Sequence, residues 1–157
     1  MKLLFKQRFF SWFDKYDIYN DAGDTVFTVK GQLSWGKLLN IYDASGKYVG
    51  SLKQKVFSFL PTFEIYIGDR FIGTIQKDLT FFRPSFSLNC NGWYVSGNWA
   101  EWDYSIFADN GESVAVICKE IFNWTDTYSI NVHDSTNALA VLMIVLAIDA
   151  EKDSRNR

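Results

Sequence analysis

Hydrophobic and polar positions alternate along most of this chain, in short runs separated by small polar residues and glycine. The run from Tyr48 to Lys53 is one example of this period of two. Alternation over four to eight residues is typical of a β-strand with one buried face. The runs predict about twelve strands, near residues 2–7, 14–20, 25–33, 37–42, 47–55, 62–67, 70–77, 84–90, 92–98, 101–107, 112–120 and 126–132.

Turn residues separate many of these runs. Combinations of Asp, Asn and Gly occur at residues 20–24, 43–46, 68–69, 91–92 and 109–112. These residue types tolerate the positive φ angles that tight hairpin turns require. Connections this short predict antiparallel pairing between consecutive strands. The segment Asp109–Glu112 is therefore interpreted as a hairpin turn, since it lacks the spacing of a calcium-binding loop.

A second motif links the end of one strand to the start of another. It has Asp or Pro as the turn residue and a bulky aromatic residue on either side. It occurs at residues 10–18, 57–65 and 122–130, with a weaker copy at 80–88. We expect these aromatic residues to plug the ends of the sheet.

One segment, Asn137 to Ile148, breaks the alternation. It contains eleven consecutive apolar residues, and Asp134 and Ser135 just before it offer N-cap oxygens. A membrane span needs about twenty such residues, and an amphipathic surface helix would carry a polar face. A helix that is apolar all round is buried all round. The segment is therefore predicted to be a helix inside the sheet.

These elements together predict a mainly β protein. Closing the sheet would remove its unpaired edges, so we expect a closed antiparallel barrel of about twelve strands around a buried C-terminal helix. A chain of 157 residues fits one domain. We place that domain at residues 1–150 and expect the polar tail, 151–157, to be frayed.

Composition narrows the classes of function. The net charge of −2 argues against a protein that coats nucleic acid. Residues 1–83 nevertheless hold twelve Lys and Arg against eight Asp and Glu, and residues 84–157 hold four against ten. A basic half could face an anionic membrane or another polyanion. The alternative is that solvent-facing strand positions simply carry mixed charge.

Neither the cysteines nor the N-terminus indicates export. Cys90 and Cys118 lie in apolar runs, where a free thiol behaves as a small hydrophobic group, and they form neither a disulfide framework nor a metal motif. Lys6 and Arg8 interrupt the apolar core that a signal peptide would need. We expect a cytoplasmic protein, with a peripheral position at the membrane as a further expectation.

Catalytic chemistry finds little support. His133 is the only histidine, which excludes a metal site built on several histidines, and its place before Asp134 indicates a neighbour of the helix cap. Glu101 and Asp103 lie two residues apart on a predicted strand and could divide acid and base roles. The aromatic residues around them favour solvent-facing strand positions instead. We expect no enzymatic activity, no cofactor and no metal.

Five segments carry a family resemblance: Lys6–Trp12, Gly36–Tyr42, Lys53–Pro61, Trp124–Tyr128 and Leu142–Asp149. They resemble the LURP-one-related family, in particular its bacterial YxjI-like members. The resemblance covers residues 2 to about 150. It implies a tubby C-terminal-like barrel, as in the tubby proteins and the phospholipid scramblases. Tubby domains bind phosphoinositide head groups through Lys and Arg side chains, which points to an anionic phospholipid as a partner.

The cations near the aromatic linking motifs are therefore the candidate lipid- or polyanion-binding residues. If the motifs gather at one end of the barrel, these cations gather there too, among aromatic rings that suit a lipid interface. The candidates are Lys6, Arg8, Lys15, Lys53, Lys55, Lys77, Arg83 and Lys119. Solubilising charge at strand ends is the alternative interpretation of the same residues. A protein partner bound through an exposed aromatic surface is the alternative function.

Overall fold

The computed structural model describes residues 1–6, 15–80, 85–120 and 127–155, with the side chains of Lys6, Leu33 and 153–155 left aside. Within these residues, twelve strands and one α-helix follow one another, and every predicted strand is present. They are β1 (Lys2–Lys6), β2 (Lys15–Tyr19), β3 (Thr25–Ser34), β4 (Gly36–Asp43), β5 (Tyr48–Gln54), β6 (Thr62–Ile67), β7 (Arg70–Lys77), β8 (Phe86–Cys90), β9 (Tyr94–Asn98), β10 (Asp103–Phe107), β11 (Ser113–Glu120), β12 (Thr127–Val132) and α1 (Ala138–Arg155).

The strands form one antiparallel sheet in the order β8-β7-β6-β5-β4-β3-β2-β1-β12-β11-β10-β9. The first and last strands pair with each other, from Lys2 opposite Asn131 to Lys6 opposite Thr127. This pairing bends the sheet into a barrel. The prediction of a twelve-stranded antiparallel barrel around a C-terminal helix is confirmed.

The barrel is nearly closed: hydrogen-bonded pairing is missing only between β8 and β9 among the described strands. After the turn in which the Trp93 amide donates to the Cys90 carbonyl, at 3.0 Å, no ladder joins β8 to β9 among the described residues. Side chains cover this seam at its far end, where the rings of Phe86 and Trp99 meet edge to face with centroids 5.0 Å apart. The expectation that all consecutive strands pair is therefore wrong at this one position.

The alternation along each strand separates an inner from an outer face. In β6, Phe63 and Ile65 are buried while Glu64 is only partly covered. In β10, Tyr104 and Ile106 are buried while Asp103 is exposed. Because successive side chains of a strand point to opposite faces, the inner set meets the helix and the outer set meets solvent.

Helix α1 fills the barrel, as its uniform apolarity predicts. Every side chain from Val141 to Ala150 is buried. At Gly50 the helix comes so close to β5 that an added Cβ would lie 2.5 Å from Cε of Met143 and 2.4 Å from the Tyr66 carbonyl oxygen. A larger residue at position 50 would therefore collide with the backbone of β6, in addition to displacing the end of the Met143 side chain.

The two ends of the helix differ from the sequence-based prediction. A short 3-10 helix, Ser135–Asn137, precedes α1, and the Asp134 carboxylate caps it by accepting a hydrogen bond from the Thr136 amide at 2.9 Å. At the other end α1 continues to Arg155, so the frayed tail predicted from residue 151 is wrong for residues 151–155. Glu151 is buried and pairs with Lys77 at 2.8 Å, which ties this last part of the helix to the sheet.

The up-and-down order of the strands sorts the connections between the two ends of the barrel. Tight turns, with the start of the chain and of α1, lie at one end, here called the turn end: residues 20–24, 44–47, 68–69, 91–93, 108–112 and 133–137. The other described connections lie at the opposite end, here called the loop end: residues 35, 55–61, 78–80, 85 and 99–102. The C-terminus of α1 also emerges at the loop end.

Candidate binding surface at the loop end

The described parts of the aromatic linking motifs, residues 15–18, 57–65, 80, 85–88 and 127–130, include or border the loop end, and the rest of these motifs lies outside the described residues. The candidate cations follow them there. Those within the described residues lie in the last or first residues of strands at the loop end, or directly after them: Lys6, Lys15, Lys53, Lys55, Lys77 and Lys119. Arg8 and Arg83 lie outside the described residues.

Three of these lysines share a sector of the outer surface on β2 to β5. Lys15, Lys53 and Lys55 are all exposed there. The register adds a fourth, because Lys15 lies directly opposite Lys30 across β2 and β3. Two like charges opposite each other destabilise a sheet, so an anion bound beside this pair would relieve a repulsion. We call Lys15, Lys30, Lys53 and Lys55 the lysine sector.

Lys30 was missed by the sequence analysis because it lies inside a strand, away from the linking motifs. Its ammonium nitrogen lies 4.6 Å from the ring centroid of Tyr42, at a cation–π distance. Only the register of β3 against β2 brings it beside Lys15. Its position inside a run of alternating residues carries no signal of that neighbour.

Other candidates do not join the sector. Lys77 is held by the buried Glu151 carboxylate, so its role is structural. Lys119 lies on β11, which β1 and β12 separate from the sector. Within the sector, Lys53 faces Glu64 across β5 and β6, which balances part of its charge.

Large apolar side chains project from the loop end beside the lysine sector. Trp35 forms the tip of the β3–β4 hairpin and is 81% exposed. Phe57 and Phe59 on the β5–β6 loop are each 94% exposed, and Leu79 after β7 is 70% exposed. The prediction that the linking aromatics plug the sheet ends is therefore wrong for Phe57 and Phe59. They extend beyond the strands into solvent, while the C-terminal part of α1 occupies the opening.

Other aromatic rings do cover the barrel interior at this end. Trp102 stacks on Tyr128 with centroids 3.8 Å apart, and Phe5 packs against both. Trp102 adopts a left-handed backbone conformation, with φ of 56°, which ends the 3-10 helix Trp99–Glu101. Lys152 of α1 lies over the Trp102 ring at 5.1 Å. This cluster separates the core from solvent and leaves the projecting aromatics as a distinct surface.

The carboxylate pair considered for catalysis is not a strand pair. Glu101 lies in the 3-10 helix and Asp103 begins β10, so the expectation that both lie on one strand is wrong, although both are exposed as predicted. His133 is exposed beside the Asp134 cap, as predicted. Within the described ranges, no cluster of three His, Cys, Asp or Glu side chains offers a metal site, and both cysteines are free thiols.

Buried tyrosines near α1 predict a pH dependence. Burial raises the pKa of the Tyr104 phenol well above 10, and the negative charge of Asp149 raises it further. An unfolded tyrosine ionises near pH 10, so above that pH the unfolded state binds fewer protons than the folded state and stability falls. Between pH 9 and pH 11 we expect the free energy of unfolding of Tyr104→Phe to fall less than that of wild type, by about 1 kcal/mol.

Urea unfolding at the two pH values measures this difference. Tyr48→Phe, which changes an exposed tyrosine, is the control substitution. Equal losses of stability in wild type and Tyr104→Phe would contradict the prediction.

Comparisons with known proteins settle the family. The model of the LURP-one-related family matches residues 1–149. This chain belongs to the LURP-one-related family. A Bacillus subtilis (strain 168) relative described as uncharacterized protein YxjI is 30% identical over 151 residues, which span 95% of this chain and 92% of that protein. The sequence-based assignment is therefore confirmed.

The fold of this LURP-one-related protein also has a solved counterpart. An X-ray structure of a protein from Arabidopsis thaliana matches it with a TM-score of 0.60 over 99% of this chain and 91% of that one, at 16% identity. A likeness at this identity establishes the fold alone, and it is consistent with the expected tubby-like barrel. Within the described ranges, no helix combines the length and apolarity that crossing a bilayer requires.

Proposed function

We propose that this LURP-one-related protein is a non-enzymatic binding module that docks on anionic phospholipid membranes through its loop end. The observation that carries the proposal is the juxtaposition of exposed apolar tips with the lysine sector. Trp35, Phe57 and Phe59 project from neighbouring connections of β3 to β6, and the sector lies on β2 to β5. Apolar patches rimmed by polar residues are typical of interaction sites.

The two parts of this surface fit the two parts of a membrane interface. A large apolar side chain transferred out of water contributes about 1.5–3 kcal/mol when fully buried, and Trp35 is of the type enriched at head-group depth. A lysine close to an anionic leaflet contributes about 1 kcal/mol. Membrane anchoring by one weak signal is marginal, whereas two together are effective. The resemblance to tubby domains supports the same partner class.

The barrel geometry supports an external site instead of an internal one. Because α1 fills the lumen, a ligand held inside the barrel would have to displace its core. The remaining surfaces are the outer faces and the two ends. At the turn end, the apolar residues Tyr48, Ile67 and Phe71 reach at most 52% exposure. The anionic cytoplasmic leaflet is the membrane surface that we propose for docking, with the protein peripheral to it.

Vesicle sedimentation tests the proposal with a triple variant, Trp35→Ser, Phe57→Ser and Phe59→Ser. We expect wild type to bind phosphatidylglycerol-containing vesicles much more strongly than phosphatidylcholine vesicles. The triple variant should bind at least 100-fold more weakly, since three inserted side chains at about 1.5 kcal/mol each exceed that factor. The matched control, Tyr48→Ser, Ile67→Ser and Phe71→Ser, alters the turn end and should bind as wild type does.

Equal and weak binding of wild type to both kinds of vesicle would contradict the proposal. So would equal losses in the loop-end and turn-end variants, because an effect of that kind reflects general destabilisation. The protein-interaction alternative would be favoured if wild type did not bind vesicles and the loop-end variant no longer bound a protein partner that wild type binds.

A further inference from the structure

A cavity of about 330 Å³ opens at the loop end between the Trp35 hairpin and the β5–β6 loop. Its described lining residues are Gly36, Gln54, Lys55, Val56, Ser58, Phe59 and Pro61. Gly36, at φ of 100°, lies so close to the loop that an added Cβ would be 2.9 Å from Cγ2 of Val56. This contact joins the hairpin to the loop, so the cavity walls are held together by packing.

Hydrogen bonds fix the orientation of the polar groups in the cavity. The Lys37 amide donates to Oε1 of Gln54 at 3.3 Å, which leaves both Nε2 hydrogens of Gln54 as donors. The Thr62 hydroxyl donates to the Leu60 carbonyl at 2.9 Å, so Ser58 is the donor in its 3.0 Å contact with Thr62. These bonds brace the loop from inside.

Lys55 is the charged group of the cavity. Its amide donates to the Thr62 carbonyl at 2.9 Å, which fixes its backbone where β5 meets β6. Its side chain is exposed, and no ion pair holds its ammonium group within the described part of the chain. The ammonium is therefore available to an external anion.

The lining offers donors and no competing carboxylate. Lys55 and Gln54 supply N–H groups, and none of the seven described lining residues is acidic. Donors gathered without an anionic partner are suited to a phosphate, whose oxygens accept charge-assisted hydrogen bonds. Val56, Phe59 and Pro61 form the apolar part of the wall.

The volume decides how much of a ligand enters. Pockets for small molecules range over about 300–1,000 Å³, so this cavity takes a head group and excludes the acyl chains. Phe59 both lines the cavity and projects from the loop end. A phosphate held in the cavity would thus place its acyl chains beside the projecting aromatics.

We propose that this cavity is a discrete subsite for a glycerol-linked phosphate, which Lys55 and the Gln54 amide bind. The subsite rests on the proposed membrane function and deepens it. Without a discrete site, the lysines of the sector would act only through their summed charge. A discrete subsite should bind a free ligand and should depend on which lysine is neutralised. Summed charge should do neither.

The experiment titrates the protein with free glycerol phosphate and with inorganic phosphate, followed by backbone and side-chain amide chemical shifts. We expect saturable shifts at the Gln54 side-chain amide and at Gly36, stronger with glycerol phosphate. Lys55→Gln and Gln54→Glu should each weaken this binding at least tenfold. Lys53→Gln makes the same charge change outside the cavity and should alter it less than twofold. Near-ultraviolet circular dichroism verifies that each variant keeps the fold.

Vesicle binding of the same variants separates the two proposals. Lys55→Gln should weaken binding to phosphatidylglycerol vesicles more than Lys53→Gln does. Vesicle binding without saturable shifts, or with equal losses in both lysine variants, would overturn the subsite and leave the membrane proposal standing. Saturable shifts with no vesicle binding would support a site for a free phosphate ligand and overturn the membrane proposal.

Discussion

Leu142→Asp is expected to abolish folding of the barrel. Leu142 is fully buried on α1, in the middle of the apolar core. The substitution loses the transfer free energy of a leucine, about 2–3 kcal/mol, and buries a carboxyl group where apolar side chains surround it, which costs at least about 4 kcal/mol. Together these terms approach the whole stability of a small domain, about 5–15 kcal/mol.

The soluble fraction after expression and the near-ultraviolet circular dichroism spectrum measure this outcome. Leu79→Asp is the matched control, since Leu79 is exposed at the loop end, and it should leave the fold intact. A soluble Leu142→Asp variant with an unchanged spectrum would show that α1 does not lie inside the barrel.

Lys77→Met is expected to lower the free energy of unfolding by about 2–4 kcal/mol. Removing one partner of a buried ion pair leaves the other charge in a poorly solvated place. Here the remaining charge would be the Glu151 carboxylate, whose side chain is only 7% exposed. Glu151→Met should cost less, because the Lys77 side chain is 21% exposed and can turn its ammonium group toward water.

Denaturant unfolding of the two single variants and of the double variant forms a complete cycle. The double variant should be more stable than Lys77→Met alone, since apolar groups that replace both partners are often neutral. Lys47→Met, at the turn end, is the control for loss of a lysine and should change stability by less than about 0.5 kcal/mol. If Lys77→Met also changed stability by less than about 0.5 kcal/mol, the structural role of Lys77 would be contradicted, and Lys77 would again be a candidate ligand-binding residue.

These predictions separate the lysines that stabilise the fold from those that we propose bind a ligand. Lys55 and Lys77 each precede a copy of the aromatic linking motif, yet Lys77 pairs with the helix and Lys55 lines an open cavity. The difference follows from where each lysine lies relative to its strand. Lys77 ends β7 in the inward series that includes Ile75, whereas Lys55 lies beyond the end of β5, in the β5–β6 loop.

Local pattern in the sequence was sufficient to predict the strands, the antiparallel order and the buried helix. Alternation has a period of two only in strands, and the uniformly apolar stretch from Ala138 has no stable place except a core. The family could also be recognised, because its segments are local. The extension of the helix to Arg155 was not predicted, because Glu151 is a charged residue and its buried pairing with Lys77 cannot be read from the sequence.

Only the tertiary structure decided which residues form the candidate surface. The pairing of Lys15 with Lys30, the contact of Gly36 with Val56 and the exposure of Phe57 all join or separate segments far apart in the chain. Phe57 and the buried Phe63 belong to one motif and share one residue type, so composition cannot distinguish them. Their difference arises because Phe63 lies at an inward position of β6, in the core, whereas Phe57 lies in the β5–β6 loop beyond the strands. The sequence by itself determined what must be buried, while register and closure determined what is left to bind.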